Sequence, residues 1–346
     1  MDPVTHGLAS LALARAGQKR LPPYGTAMLV VSGVAADLDY VSYFGGTAAF
    51  LRFHRTLLHS IPDSALVACV TAAAFFALNK AHSQKRESEN PNSTRRELTF
   101  GLALLVCVIG AASHILLDLV SGIGVQLLWP VRAGWQGWDL MTDLDPWILG
   151  LLLLALLLPE LFRLVSDEIG EKKGSSRGRG AAIAALTILV LYIGARADLH
   201  SRAINLLTSR EYHGRPPLAA AAFPLPATPF GWRGVVSTDA TVEELEVSLF
   251  PGAAFDPDRS FTRYKPEPSA ALDAGQRTQA AKTLLAYASI PFASVNRVEE
   301  GYRFELRDLR FAPNDASPEN IIARVDLNSS LQIKREELRY ASSKAP

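Results

Sequence analysis

The sequence has little cysteine, almost no net charge and, across residues 1–197, few polar positions to interrupt its apolar runs. The two cysteines, Cys69 and Cys107, both lie inside such runs, so there is no disulfide framework and no Cys-type zinc motif. They read as core residues. A net charge of +1 gives no reason to expect nucleic acid as a partner. The start of the chain has no basic leader and carries Asp2 and His6 where one would be expected, which argues against a conventional secretory signal. A polar stripe is missing too. Soluble helices normally show one, and "LGLLLLALLL" (149–158) does not, which weighs against a soluble helical bundle.

What is present divides the chain in two. Residues 1–197 hold the long apolar runs, and the rest is an ordinary mixture. Crossing the hydrocarbon takes roughly 20 residues. Four runs approach that length: 61–79, 99–120, 146–165 and the shorter 181–195. The stretches 4–16 and 24–36 are shorter still and read as a helical hairpin, turning at 18–23 and packed against the spanning helices. The expected fold is mainly α, a multi-pass helical membrane domain followed by a small α+β soluble domain. Its boundaries are 1–197 for the membrane domain, 198–235 for a Pro-rich linker and 236–346 for the α+β domain. In that last part "VEELEVSLF", "GYRFELRDLRF" and "NIIARVDLNSSLQIKREELRY" alternate like strands. "LDAGQRTQAAKTLLAYA" reads as one helix, and no catalytic motif stands out. His200 and His213, in or near the linker, read as ordinary polar residues.

Orientation follows from basic residues in short loops. Lys80, Lys85, Arg86, Arg95 and Arg96 crowd one loop; Arg163, Lys172, Lys173, Arg177 and Arg179 crowd another. Residues 37–60 hold only Arg52 and Arg55, and 119–145 only Arg132 beside Asp139, Asp143 and Asp145. The basic loops then face the cytoplasm, and the C-terminal domain is extracytoplasmic. If 181–195 does not span, that domain lies in the cytoplasm instead.

Ionisable residues at the ends of apolar helices are costly and usually face a cavity or one another. Five groups stand out: His6; Asp37 and Asp39 in "AADLDY"; His54 and His59 in "FHRTLLHS"; His114 and Asp118 in "SHILLDLVSG"; and Asp139, Asp143 and Asp145 in "WDLMTDLDPW". His114 and Asp118 are spaced i, i+4 and share a helix face, as ligands of one ion or as a buried hydrogen-bonded pair. Asp37 and Asp39 suit a turn around a cation or a solvated helix end. His54 and His59, spaced i, i+5, lie about 140° apart on a helix. They belong to a loop that caps a helix starting near Ser60, with Pro62 in its first turn. The basic turn at 18–23 puts His6, Asp37 and Asp39 at the outer end of the hairpin, level with the other pairs. Four of the seven histidines then meet three aspartates at one membrane level. Such a nitrogen and oxygen set suits zinc or manganese, as one or two ions. A divalent ion there lowers the pKa of bound water.

"MDPVTHGLASLALARA", "AADLDYVSYFGG", "FHRTLLHS" and "SHILLDLVSG" together resemble the bacterial family of membrane-bound metal-dependent hydrolases that includes an SOS-regulated inner-membrane member. The resemblance covers roughly residues 1–165, and "TPFGWRGVV" (228–236) adds to it. Order and spacing of the motifs agree. The resemblance implies a bacterial inner-membrane protein whose shared polar set is His6, Asp37, Asp39, His54, His59, His114 and Asp118, with Asp143 and Asp145 in a further acidic motif. The expected metal ligands are those seven. Asp39 and Arg55 are the expected catalytic residues, Arg55 as a binder of an anionic group such as phosphate. The general base stays open among the carboxylates.

The leading expectation is a metal-dependent hydrolase acting near the outer face on a lipid-like ester or phosphoester, with membrane lipid as partner. The alternative is a non-enzymatic membrane protein with a structural metal site and an envelope-interaction tail. A transporter is a third reading, disfavoured because the polar residues sit at one level.

Overall fold

The computed structural model describes residues 1–89, 98–168, 178–311 and 320–340. The basic residues Arg95, Arg96, Lys172, Lys173 and Arg177, and the side chains of Lys85 and Arg86, lie outside the described part. The chain forms two compact units. One comprises Met1–Asp39, Arg55–Asp198 and Pro226–Pro229; the other comprises Tyr40–His54, Leu199–Leu225 and Phe230–Pro346.

The first unit is helical. Helix α1 (Pro3–Gly17) starts at Asp2, whose carboxylate accepts from the Val4 and Thr5 amides, with Pro3 in the first turn. Helix α2 (Gly25–Val34) runs on into a 3-10 helix (Ala35–Gly45) whose later residues belong to the second unit, as does α3 (Thr47–Phe53). Then come α4 (Ile61–Glu89), α5 (Phe100–Val120), α6 (Pro146–Glu168) and α7 (Arg179–Thr208). Helix α1 packs on α2, α5 and α6, and α2 packs on α4 and α5.

Among the described residues five helices are long and apolar enough to cross a membrane: Gly25–Gly45, Ile61–Gln84, Phe100–Val120, Pro146–Leu164 and Arg179–Thr208. The expected hairpin is present, with α1 and α2 joined by a turn and packed on each other, but its second arm is longer than expected. Helix α2 alone is ten residues, but the 3-10 turns extend it to 21. The fourth expected run also grows. It looked short because Arg196, Asp198 and His200 follow Ala195, yet Arg196 is buried and its Nε donates to the Leu140 carbonyl at 2.8 Å. With that charge satisfied inside the protein, the helix continues.

Small residues set how closely these helices approach. A Cβ at Gly33 would meet the Ser10 hydroxyl at 2.0 Å, and one at Gly110 would meet the Leu29 carbonyl at 2.7 Å. Helices α1, α2 and α5 therefore cross with backbones nearly touching, as apolar bundles do where side chains are small.

The second unit is α+β. Strands β1 (Ala219–Pro224), β2 (Gly231–Ser237), β3 (Thr241–Ser248) and β4 (Phe261–Tyr264) form one antiparallel sheet in sequence order. Strands β5 (Pro291–Val298), β6 (Gly301–Asp308), β7 (Ile321–Asn328) and β8 (Ile333–Tyr340) form another in the same manner. The last turns of α7 lay Ala203 and Leu207 on Trp232, Val236 and Val247 of the first sheet. Helices α8 (Ala270–Gln276) and α9 (Gln279–Leu285) cover the second. The single helix expected over this stretch is broken at Thr278, which takes extended dihedrals and accepts from the Ala281 amide as a new N-cap.

The expected linker, 198–235, is not a linker. It holds the end of α7, all of β1 and most of β2. Its prolines sit where a sheet tolerates them: Pro224 is the last residue of an edge strand, and Pro226 and Pro229 lie in the connection to β2. Residues 40–54, expected in the membrane domain, belong to the second unit; α3 packs on α9 and β8, and Tyr43 stacks near Tyr340 at 6.3 Å between ring centroids. His200 bonds the Ala222 carbonyl at 3.1 Å, and His213 lies 3.2 Å from the Thr262 hydroxyl.

Candidate metal centre

Ser60 caps α4. Its hydroxyl accepts from the Asp63 amide and donates to the Asp63 carboxylate, and Pro62 occupies the first turn. The chain reaches this cap through a tight path in which Arg55 and Leu58 take left-handed dihedrals, at φ 57° and 69°. That path separates the two histidines of "FHRTLLHS". His54 ends α3 in the second unit, between the rings of Phe50 and Tyr40 at 4.6 and 4.4 Å. His59 turns into the helical unit.

There it meets the last turns of α5. His59 Nδ1 lies 3.1 Å from Asp39 Oδ2 and 3.2 Å from the Leu57 carbonyl. Both partners only accept, so Nδ1 carries a proton. His59 Nε2 faces Asp118 Oδ2 at 3.4 Å. His114 repeats the pattern. Its Nδ1 donates to the Gly33 carbonyl at 2.9 Å, and its Nε2 faces Asp118 Oδ2 at 3.2 Å and Asp37 Oδ1 at 3.9 Å. The close crossing at Gly33 and Gly110 is what brings that carbonyl within reach. His114 Nε2, Asp118 Oδ2 and Asp37 Oδ2 have no hydrogen-bond partner among the described residues, although all three side chains are buried.

Asp118 Oδ1 is better supplied. The Met1 amine donates to it, His6 Nε2 lies 3.2 Å away and the Arg55 guanidinium 3.7 Å. His6 stacks on His114 at 3.8 Å between ring centroids. Burial, and then the neighbouring His114 ring, push the His6 imidazole down to about 3.

Arg55 is almost fully buried. Its guanidinium donates to the Ser121 hydroxyl at 2.9 Å and to the Met1 carbonyl at 3.3 Å, and pairs with Asp143 at 2.9 Å. In this arrangement it ties carboxylates together instead of presenting an open fork. Its amide donates to Asp39 Oδ2 at 2.7 Å, so Asp39 holds both Arg55 and His59 in place. Asp37 and Asp39, two apart on a 3-10 helix, diverge by about 120°. Asp37 turns toward His114 and Asp39 toward His59.

Two triplets bring their ligand atoms within 4.8 Å of one another: His6, His114 and Asp118, and Asp37, His59 and His114. Five of the seven expected ligands are in these triplets; His54 and Asp39 are not. Asp145 caps α6, accepting from the Trp147 and Ile148 amides at 3.0 and 3.1 Å, and burial pushes its carboxyl above the usual value. Sequence reasoning passed over Ser121, which follows the His114/Asp118 turn, and Arg196. An arginine inside an apolar run was the signal for the latter.

Neutral imidazole nitrogens facing a carboxylate oxygen repel it. The arrangement needs a proton or a cation between them. Where a cation fills that place, the imidazole and carboxylate donors fit a divalent transition ion. Those donors are spread over α1, the 3-10 helix, the start of α4 and α5, and the family comparison matches that same part of the chain. No curated protein matches the chain, and no solved structure does. A family model described as YdjM inner membrane protein matches residues 1–202, so the chain belongs to the YdjM inner membrane protein family.

Proposed function

We propose that the protein is a membrane-embedded metal-dependent hydrolase acting on an amphiphilic ester or phosphoester. The observation that carries this is Asp118 Oδ2, a buried oxygen without a hydrogen-bond partner, facing Nε2 of both His59 and His114. His6, Asp37, His59, His114 and Asp118 would hold zinc or manganese, as one ion or as two sharing His114. A divalent ion held there supplies Lewis acidity and makes water a better nucleophile near neutral pH. The chain's own residues prepare the site. Asp39 and the Gly33 carbonyl fix the proton of His59 and of His114 on Nδ1, which turns each Nε2 inward. Arg55 holds Asp143 beside Asp118. Asp143, with a quarter of its side chain exposed, is placed to pass protons between the site and water.

The described basic residues Lys19, Arg20 and Lys80 lie at the helix ends away from the cluster. Together with the basic loops they favour a cluster on the periplasmic side and an extracytoplasmic second unit. The test is turnover. Purified protein loaded with zinc or manganese is expected to hydrolyse a member of a broad panel of phospholipids and lipid-linked esters. One observation favours a structural role for the cluster instead, as polar glue between helices with or without a metal: the Met1 amine and Arg55 already pair with Asp118. Bound metal with no turnover on the panel decides for that reading.

A further inference from the structure

The segment joining α5 to α6 is more apolar on its surface than a water-facing loop. Val131 is 90% exposed, Leu128, Trp138, Leu144 and Trp147 are also exposed, and Arg132 beside Val131 is open to its surroundings. So many exposed large apolar side chains in one short segment mark a surface that something covers.

The segment is not a loose excursion. Val125 and Gln136 exchange two backbone hydrogen bonds at 2.9 Å, and the Trp138 amide donates to Leu119 at 2.7 Å. The Ile61 amide donates to the Leu127 carbonyl at 2.9 Å and the Gln126 amide to the Arg55 carbonyl at 3.3 Å. The tip is thus fastened to Arg55, to the first residue of α4 and to the end of α5. Those are the elements that carry His59, His114 and Asp118.

What covers the tip follows from continuity. The helices on either side expose Leu105, Val108 and Leu116 on α5 and Leu154, Leu157 and Leu161 on α6. In an inner-membrane family those faces meet lipid, and the tip extends the same surface beyond the helix ends. Tryptophan beside arginine at such a level is the composition of the head-group region, where the ring stays half in the apolar phase and the cation meets phosphate.

We infer that residues 127–138 lie in the head-group region of the leaflet on the side of the His/Asp cluster, and form the lip across which a lipid head group reaches that cluster. The immersion of the lip stands by itself; the delivery of a head group rests on the proposed hydrolase reading. Substrate then comes sideways from the leaflet, with its tail in the bilayer.

The test is a depth measurement. A nitroxide on Val131→Cys, in a Cys69→Ala, Cys107→Ala background, is placed in vesicles of phosphatidylethanolamine and phosphatidylglycerol. Its collisions with oxygen are compared with those with a water-soluble nickel chelate. References are labels on Leu116→Cys, on the apolar face of α5, and on Arg259→Cys in the second unit. The expected oxygen-to-nickel ratio at Val131 is well above that at Arg259, moving toward that at Leu116. A ratio equal to that at Arg259 overturns the inference. If the cysteine-free background does not fold, native tryptophan fluorescence with lipids brominated near the head group serves instead. Quenching is expected to fall in the triple variant Trp129→Phe, Trp135→Phe, Trp138→Phe; equal quenching in variant and wild type overturns the inference. Neither readout involves metal or turnover. A water-exposed lip with metal bound sinks the lip alone, and a lipid-immersed lip on a protein that binds no metal sinks the hydrolase reading alone.

Discussion

Replacing Gly110 with alanine asks whether the helix crossing builds the site. The new methyl would sit 2.2 Å from the Ser32 hydroxyl, which can rotate away, and 2.7 Å from the Leu29 carbonyl, which cannot. Ordinary contact begins near 3.4 Å, so α2 and α5 must part by about 0.7 Å. Adding that to the 2.9 Å between His114 Nδ1 and the Gly33 carbonyl leaves roughly 3.6 Å, outside hydrogen-bond range. The imidazole then loses the contact that fixes its proton on Nδ1. Alanine is the better helix former by about 1 kcal/mol. Overpacking costs about 1–3 kcal/mol and the lost hydrogen bond about 1, so the net expectation is destabilisation by about 1–3 kcal/mol. Loss of the contact that orients a ligand typically weakens metal binding 10–100-fold. The assay is zinc or manganese titration in detergent, together with denaturant unfolding. Gly101→Ala, on the same helix with nothing within 4 Å of its built Cβ, is the control and is expected to bind metal as wild type does. Wild-type affinity and stability in Gly110→Ala would refute the argument.

Other perturbations read other contacts. Asp39→Ala removes the acceptor shared by His59 Nδ1 and the Arg55 amide; it is expected to weaken metal binding about 10–100-fold with helix content by circular dichroism unchanged, and unchanged affinity in a calorimetric titration would count against it. Ser60→Ala removes the cap of α4 and is expected to cost about 1 kcal/mol in denaturant unfolding; no change would show that this cap is dispensable. Arg55→Lys loses the fork that reaches Ser121 and Asp143 together. Its expected cost is about 1–3 kcal/mol, and a stability equal to wild type would contradict the bridging role. In the second unit, burial alone would raise the Glu243 carboxyl, but hydroxyls of Ser260, Thr241 and Thr262 outweigh it and hold the group below its ordinary value. A depressed folded value means stability that is present above the unfolded pKa of about 4.3 and is lost as pH falls through the folded one. Trp232 fluorescence melts are expected to drop more steeply below that pH in wild type than in Glu243→Gln; parallel curves would rule this out.

That His and Asp groups gather was legible in the sequence because ionisable groups at the ends of apolar runs leave few alternatives. His114 and Asp118 are on one face as their i, i+4 spacing requires, and α4 starts at Ile61 with Pro62 in its first turn. What was hidden depended on contacts far apart in the chain. The Gly33 carbonyl has no side-chain signature, so the anchor of His114 could not be read. The divergence of His54 from His59 depends on the left-handed dihedrals at Arg55 and Leu58. Helix α7 looked short because Arg196 counts as polar in a window, whereas in the fold its charge is met by carbonyls of Leu140 and Pro229. The prolines between 215 and 232 suggested a linker, yet each falls outside a central strand, where its missing N–H costs nothing. Residues 40–54 were hidden for the same class of reason: they are grouped with the second unit by tertiary packing, although they lie between segments of the first in the sequence.

A cation held between His59, His114 and Asp118 is the central claim. Metal content by mass spectrometry, measured on detergent-purified wild type after zinc or manganese loading and desalting, tests it most directly, with His114→Ala and Asp118→Ala alongside. Retained metal in wild type at one or two ions per chain, and its loss in both variants, is the predicted result. Full metal content in both variants, or none in wild type, would contradict it.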